Sequence, residues 1–333
     1  MTSAKSGSTI VEALKRAVFP SYALLAAIQI DLFTHLEDSS KTAEELAAEM
    51  DVDPDKLSAL LYPMVLVGLM KVENEFFTNT SEAEQFLVRG KPDYMGEEFE
   101  AFTSRWRAVS KTAESIRSGK AQAKVDFPSM SREQLDRFYQ GSHSQTQAAG
   151  RGLGARFDFS PYSRLIDVGG GTGGIAIAIV QAYPQLQATV ADFASVIPIT
   201  QRFVDESEVS DRVKVMEADA VEGSLSGSFD VAVLRNFIPV LTKDQARKAL
   251  KNVWQVLEPG GTIYIADLGT LDDSRLSPRE VVWQNLSFIN SFDQGGGRTE
   301  SERREWLEEA GFVGIERHVY SDAMGVMTAQ KPA

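Results

Sequence analysis

Residues 165–174 read Leu-Ile-Asp-Val-Gly-Gly-Gly-Thr-Gly-Gly. An apolar strand ends near Asp167, a turn built of glycines follows, and a helix is predicted from Ile175 to Ala182. Glycine lets the backbone turn sharply and approach a ligand closely. The helix that follows offers its free N–H groups at the same point. NAD, FAD and S-adenosylmethionine (SAM) sites all use such a turn, so the flanking acids decide between them. Asp192 ends the predicted strand 187–192, where a carboxylate can hold a ribose diol. Asp219 ends the predicted strand 213–219. Three acids at three successive strand ends suit a cationic cofactor carrying ribose and adenine, and they would repel a pyrophosphate. The arrangement favours SAM over NAD.

Outward from this stretch, strands and helices alternate. Strands are predicted at 165–168, 187–192, 213–219, 229–234 and 262–268, and the clearest helix is 243–257. Glu258-Pro-Gly-Gly261 reads as a turn before the fifth strand. Helices near 278–290 and 300–310 precede a closing antiparallel pair, 313–320 and 325–330. This is an α/β domain with a doubly wound, mostly parallel sheet, and its ligand is expected at the carboxyl ends of the strands.

The chain has 333 residues, of which 43% are hydrophobic, enough for two domains with ordinary cores. There are no cysteines and three histidines, His35, His143 and His318. Disulfides and thiolate chemistry are therefore excluded, and no multi-His metal site is expected. A net charge of −13 argues against nucleic acid or an anionic membrane as partner. The polar start of the chain predicts no secretory signal, and a cytoplasmic protein is expected.

The first 93 residues read as a helical domain with a hairpin. Thr42 and Glu45 have capping-box spacing, Pro54 opens a helix over 55–67 in which Pro63 predicts a kink or break, and Gly68 is a stop. Two short strands around Glu73-Asn74-Glu75 complete a winged-helix pattern. Residues 1–100 hold 8 Lys/Arg against 18 Asp/Glu, and the helix that would read DNA carries Lys56 as its one basic residue. A DNA reader needs a basic face. The apolar helices over 8–35 instead predict a homodimer interface. A helical bridge, 94–156, follows and is expected to cap a pocket. The segment 157–333 carries the α/β domain.

Several motifs in order make a family recognisable: Asp167-Val-Gly-Gly-Gly-Thr-Gly, Asp192-Phe-Ala, Ala218-Asp219-Ala, Leu257-Glu-Pro-Gly-Gly-Thr, and Gly295-Gly-Gly-Arg-Thr-Glu-Ser-Glu with Trp306-Leu-Glu-Glu-Ala-Gly-Phe312. Over almost its whole length the chain resembles the SAM-dependent small-molecule O-methyltransferases of the plant caffeate type and the bacterial polyketide- and pigment-tailoring type. The resemblance implies a Rossmann-like methyltransferase domain behind a winged-helix dimerisation domain, with SAM as cofactor and S-adenosylhomocysteine (SAH) as product. It implies a small, aromatic or polycyclic acceptor. It places Gly169 and Gly171 at the methionine part of SAM, Asp192 on the ribose, Phe193 on the adenine, Asp219 at the adenine amine and Arg235 near the cofactor, with Asp167 and Ala220 as further cofactor-binding residues.

One departure bears on mechanism. After the fourth strand the family carries a His that takes the acceptor's proton, and its late signature supplies a Glu to support that His. Here the positions read Pro239 and Gly297-Arg298. Proline cannot transfer a proton. His143, in the bridge, is the candidate replacement base, and Arg298 is a second candidate catalytic group. Trp106, Tyr139, His143, Phe237, Trp283, Asn285 and Asn290 are candidates for the substrate pocket. Three explanations stay open: an acceptor that arrives already ionised, a different base, or non-methyl chemistry such as a cyclase, decarboxylase or hydroxylase reaction.

Overall fold

A computed structural model describes residues 9–125, 127–223, 225–319 and 325–333; Ser8 and Tyr320, at the ends of two predicted elements, lie outside them. The chain divides into two compact units, Met1–Ser104 and Arg105–Ala333. No helix among the described residues is long and apolar enough to cross a membrane.

The first unit holds α1 (Thr9–Arg16), α2 (Val18–Gln29), α3 (Ala43–Met50), α4 (Pro54–Leu66), β1 (Met70–Glu73), β2 (Phe76–Asn79) and α5 (Ser81–Phe86). The predicted capping box is formed: Thr42 Oγ1 accepts from Glu45 N, and Glu45 Oε2 accepts from Thr42 N. Asp53 caps α4, and Pro54 stands in its first turn, where its missing N–H costs nothing. Of the expected kink or break at Pro63, the break does not occur: Pro63 lies inside α4, which continues to Leu66. Asn74 (φ 49°) and Glu75 (φ 69°) make the two-residue, left-handed turn that matches strand twist in a hairpin. Leu32, Phe33, Leu36, Leu46, Leu61, Met64 and Phe77 form the core. On α1 and α2, Ile10, Leu14 and Phe19 are 70%, 65% and 67% exposed, an apolar face left uncovered by the described residues.

Helix α6 (Gly96–Val109) spans the boundary between the units. Then come α7 (Thr112–Ser118), α8 (Arg132–Gln140), α9 (His143–Arg156), β3 (Arg164–Val168), α10 (Gly174–Ala182), β4 (Gln187–Asp192), α11 (Ile197–Asp205), β5 (Val213–Glu217), β6 (Phe229–Leu234), α12 (Lys243–Val256), β7 (Leu257–Ile265), β8 (Thr270–Leu271), α13 (Arg279–Ser291), β9 (Arg298–Thr299), α14 (Glu300–Ala310), β10 (Val313–Val319) and β11 (Gly325–Gln330). The main sheet has the order β10-β11-β7-β6-β3-β4-β5; only the two pairings made by β11 are antiparallel, so β11 alone runs against the other strands. The chain runs outward from β3 through β4 and β5, then returns to β6 on the other side of β3. The turn after β3 therefore opens at the switch point where a doubly wound sheet leaves a crevice.

Alternate residues of β3 feed the two faces: Leu165 enters one core with Ile175, Ile179 and Val190, and Ile166 enters the other with Leu234, Ile263 and Trp306. Leu135 and Leu153 of the bridge belong to the first of these cores. From Arg105 onward the bridge thus belongs to the second unit. Several element ends differ from the sequence reading; the fifth strand, predicted to end at Leu268, stops at Ile265. β5 stops at Glu217, because Asp219 turns the chain, its Oδ1 accepting from Val221 N and Glu222 N. Residues 258–261 belong to β7, where the register shifts opposite Phe229–Val231 and Gly260 sits at φ +79°, so the expected turn is an irregularity within the strand.

Candidate cofactor and substrate site

The glycine turn stands over two buried carboxylates. Gly169, Gly171 and Gly173 have φ of 66°, 56° and 72°, a region that side chains adopt at a cost. Space is limiting as well. A Cβ on Gly169 would stand 2.5 Å from Phe237 Cδ2, and one on Gly171 2.7 Å from Tyr139 Cε1. Phe237 and Tyr139 thus close on the turn from two directions. Gly170 backs onto Asp167, whose Cγ would lie 2.7 Å from an added Cβ.

Asp192 accepts from Gly171 N through Oδ2 and from Phe193 N through Oδ1, both at 2.8 Å. Each oxygen keeps a lone pair for a ribose hydroxyl. Burial lifts its pKa to about 6 against those two N–H groups. Asp167 is fully buried, and neither oxygen has a hydrogen bond of good geometry. Burial lifts it to about 7; the Ala176 amide opposes this, Asp192 adds to it, and Arg235 opposes it more weakly. A buried carboxylate with no hydrogen bond of good geometry among the described residues gains from a donor or a cation. A ligand carrying an ammonium and a sulfonium group supplies both, so the residues present fit SAM. Phe193, 39% exposed beside Asp192, is free to cover an adenine. Asp219 and Ala220 lie in the turn after β5, with Ala220 O accepting from Asn252 Nδ2 at 2.9 Å.

His143 opens α9, with Nδ1 2.8 Å from Thr172 Oγ1 and its ring 4.0 Å from that of Phe203, nearly parallel. Thr172 belongs to the glycine turn, so the bridge reaches the cofactor loop through this imidazole. Burial lowers the His143 pKa, and Glu206 opposes that.

Pro239 is buried, and its carbonyl accepts from Gly296 N at 2.8 Å. Gly297 N donates to Asn285 Oδ1 at 2.7 Å, and Arg298 N to Gly269 O at 2.8 Å. Three segments therefore pin the loop where the family's Glu would stand. The Arg298 guanidinium donates to Gln294 O at 2.6 Å, bridging that loop and the segment after β6, where it also reaches Leu241 O at 3.5 Å. Asn290 is not a pocket group. It is fully buried, and its amide is consumed by Ser115, Thr112 and Leu286, tying α13 to α7. Trp283 is 56% exposed on α13, and Trp106 is partly buried on α6.

An aromatic group that the sequence reading did not assemble lies beside Tyr139. Phe127 stacks on Tyr139 (6.4 Å, 29°) and on Phe292 (6.5 Å, 26°), and Phe138 meets Phe127 and Tyr139 edge-on. Aromatic pairs favour these offset and edge-on arrangements, and flat aromatic ligands use the same contacts.

The family model described as O-methyltransferase domain matches residues 121–313, and the O-methyltransferase dimerisation domain matches residues 14–89. The chain is 26% identical over 325 residues to the tetracenomycin polyketide synthesis 8-O-methyl transferase TcmO of Streptomyces glaucescens, covering 96% of this chain and 95% of that protein. It is 26% identical to the 3-hydroxy-5-methyl-1-naphthoate 3-O-methyltransferase of Streptomyces sahachiroi, covering 91% and 89%. Human N-acetylserotonin methyltransferase in complex with SAM superposes with a TM-score of 0.84 at 20% identity, covering both chains completely.

Proposed function

The chain belongs to the O-methyltransferase family, a family of SAM-dependent enzymes, and from that premise we propose that it methylates a small aromatic or polycyclic acceptor in the cytoplasm as a homodimer. The pair of buried carboxylates under the glycine turn carries this reading, since it suits a cationic methyl donor. The rings of Phe127, Tyr139 and Phe292 support a flat acceptor. TcmO and the naphthoate enzyme, both named for aromatic or polyketide acceptors, support the same class. The net charge of −13 supports small-molecule work away from nucleic acid and membrane. Residues 1–93 would dimerise, 94–156 cap the acceptor, and 157–333 hold the cofactor.

SAM supplies an electrophilic methyl group that leaves on the acceptor oxygen, with SAH as the second product. The protein has to hold the acceptor in line and accommodate its proton. Well-oriented reactants gain on the order of 7–11 kcal/mol from positioning alone. Pro239 contributes no proton transfer; it fixes the segment after β6 and accepts the loop at Gly296. His143 is the proposed base. In the tautomer whose Nδ1–H donates to Thr172 Oγ1, Nε2 remains an acceptor, and burial keeps the ring neutral near pH 7. His143→Ala is then expected to cost about a hundredfold in kcat and to remove the acidic limb of the pH–rate profile. A variant with near wild-type kcat would assign His143 to holding the loop.

The uncovered apolar face of α1 and α2 supports the homodimer. Light scattering at micromolar protein is expected to give twice the chain mass. Replacing Leu14 and Phe19 together by Asp is expected to give monomers with the second unit still folded. A monomeric wild-type protein would refute the assembly.

A further inference from the structure

Helix α14 reads Glu-Ser-Glu-Arg-Arg-Glu-Trp-Leu-Glu-Glu-Ala and looks solvated, yet Arg303 is only 1% exposed. It lies three and four residues before Trp306 and Leu307, on the buried stripe of the helix. Its Nη1 is 2.8 Å from Asp267 Oδ2, and the Asp267 side chain is completely buried. Burial pushes Asp267 up and Arg303 down, each opposed by its partner. Among the described residues, Arg303 Nε and Nη2 have no hydrogen-bond partner. A buried ion pair with spare donors adds little to stability, and apolar side chains of the same shape would serve the core as well. What the pair does hold is register.

Asp267 Oδ1 accepts from Phe237 N at 3.1 Å, and Asn236, at φ +52°, accepts from Leu268 N through Oδ1 at 3.0 Å. Two hydrogen bonds thus fix the turn after β6 to the end of β7. The Phe237 ring that leaves this turn is the one set against Gly169. Gly269 completes the arrangement: a Cβ there would meet Pro239 Cγ at 2.5 Å and Arg303 Nη2 at 3.1 Å, so the proline and the guanidinium close on the same glycine.

We propose that Asp267 and Arg303 are positioning residues that seat the Phe237 ring against the cofactor turn and thereby set cofactor affinity. This rests on the cofactor reading above. The test is a double-mutant cycle between Arg303→Met and Phe237→Leu, read as the dissociation constant of SAH by calorimetry, with melting temperature as the check on folding. Arg303→Met is expected to weaken SAH about tenfold in the wild-type background and no more than about twofold beside Phe237→Leu. Losses that simply add would overturn the proposal. Asp267→Asn with Arg303→Met leaves no buried charge and keeps an acceptor for Phe237 N, but it lacks the ion pair, so it is expected to bind SAH about as weakly as Arg303→Met alone. Binding within about threefold of wild type would reduce Arg303 to a counter-charge and overturn the proposal too. Should Arg303→Met fail to fold, Arg303→Lys takes its place in the cycle, and failure of every Arg303 variant to fold would make the pair a core element and end the proposal. A wild-type protein that does not bind SAH would remove the cofactor reading instead.

Discussion

Asp192→Ala is expected to bind SAH between about tenfold and a hundredfold more weakly than wild type, the scale of losing hydrogen bonds to a charged group at roughly 1.5–3 kcal/mol. The size follows from two jobs done by one carboxylate. Its oxygens have lone pairs for the ribose, and the same oxygens accept from Gly171 N and Phe193 N. Alanine removes the ligand contact and also frees a turn held at positive φ. Asp192→Asn separates the two jobs, since it keeps one acceptor for the turn. Calorimetry on both variants reads the difference, and wild-type affinity in Asp192→Ala would place the ribose elsewhere.

Cofactor affinity should fall steeply in acid. In the free protein Asp167 titrates at about 7 and Asp192 at about 6, both raised mainly by burial. A cationic ligand favours the ionised pair. Affinity is therefore full above these values and falls as pH drops first through the Asp167 value and then through that of Asp192. Between about pH 7.5 and about pH 5.5 the two protonations together weaken SAM roughly a hundredfold. Stability of the free protein moves the other way. Both folded pKa values lie above the ordinary carboxylate value, so the stability these groups contribute is present in acid and lost as pH rises through about 6 and 7. The thermal shift given by SAM is accordingly largest above neutrality. Asp167→Asn should remove the first step of the affinity profile; a flat profile in the wild type would contradict a cationic ligand at this pair.

Much of this was open to reading from the chain alone, where local chemistry controls the outcome. The glycine turn, the strands on either side and the capping box at Thr42 are short-range features, and β4, β6 and α14 begin and end where the pattern predicts. Features that depend on distant partners were hidden. Asn290 looked like a pocket amide, but Ser115 and Thr112, some 175 residues earlier, consume it. Asp219 looked like the end of a strand, yet its side chain bends the backbone two residues beyond that end. Arg303 sits in a run of charges that suggests solvent; the apolar spacing to Trp306 and Leu307 was the available sign of its burial. Phe127, Tyr139 and Phe292 come from three separated segments, so no window of sequence could assemble their rings.

With Pro239 unable to move a proton, the proposed chemical step relies on orientation and on His143 as its proposed base. The most direct test is a product analysis: the protein, SAM and a panel of phenolic and polyketide acceptors, with SAH and acceptor products quantified together. Methyl transfer predicts one SAH for each methylated acceptor, whereas acceptor consumed while SAM is recovered intact would contradict it and assign the fold to non-methyl chemistry.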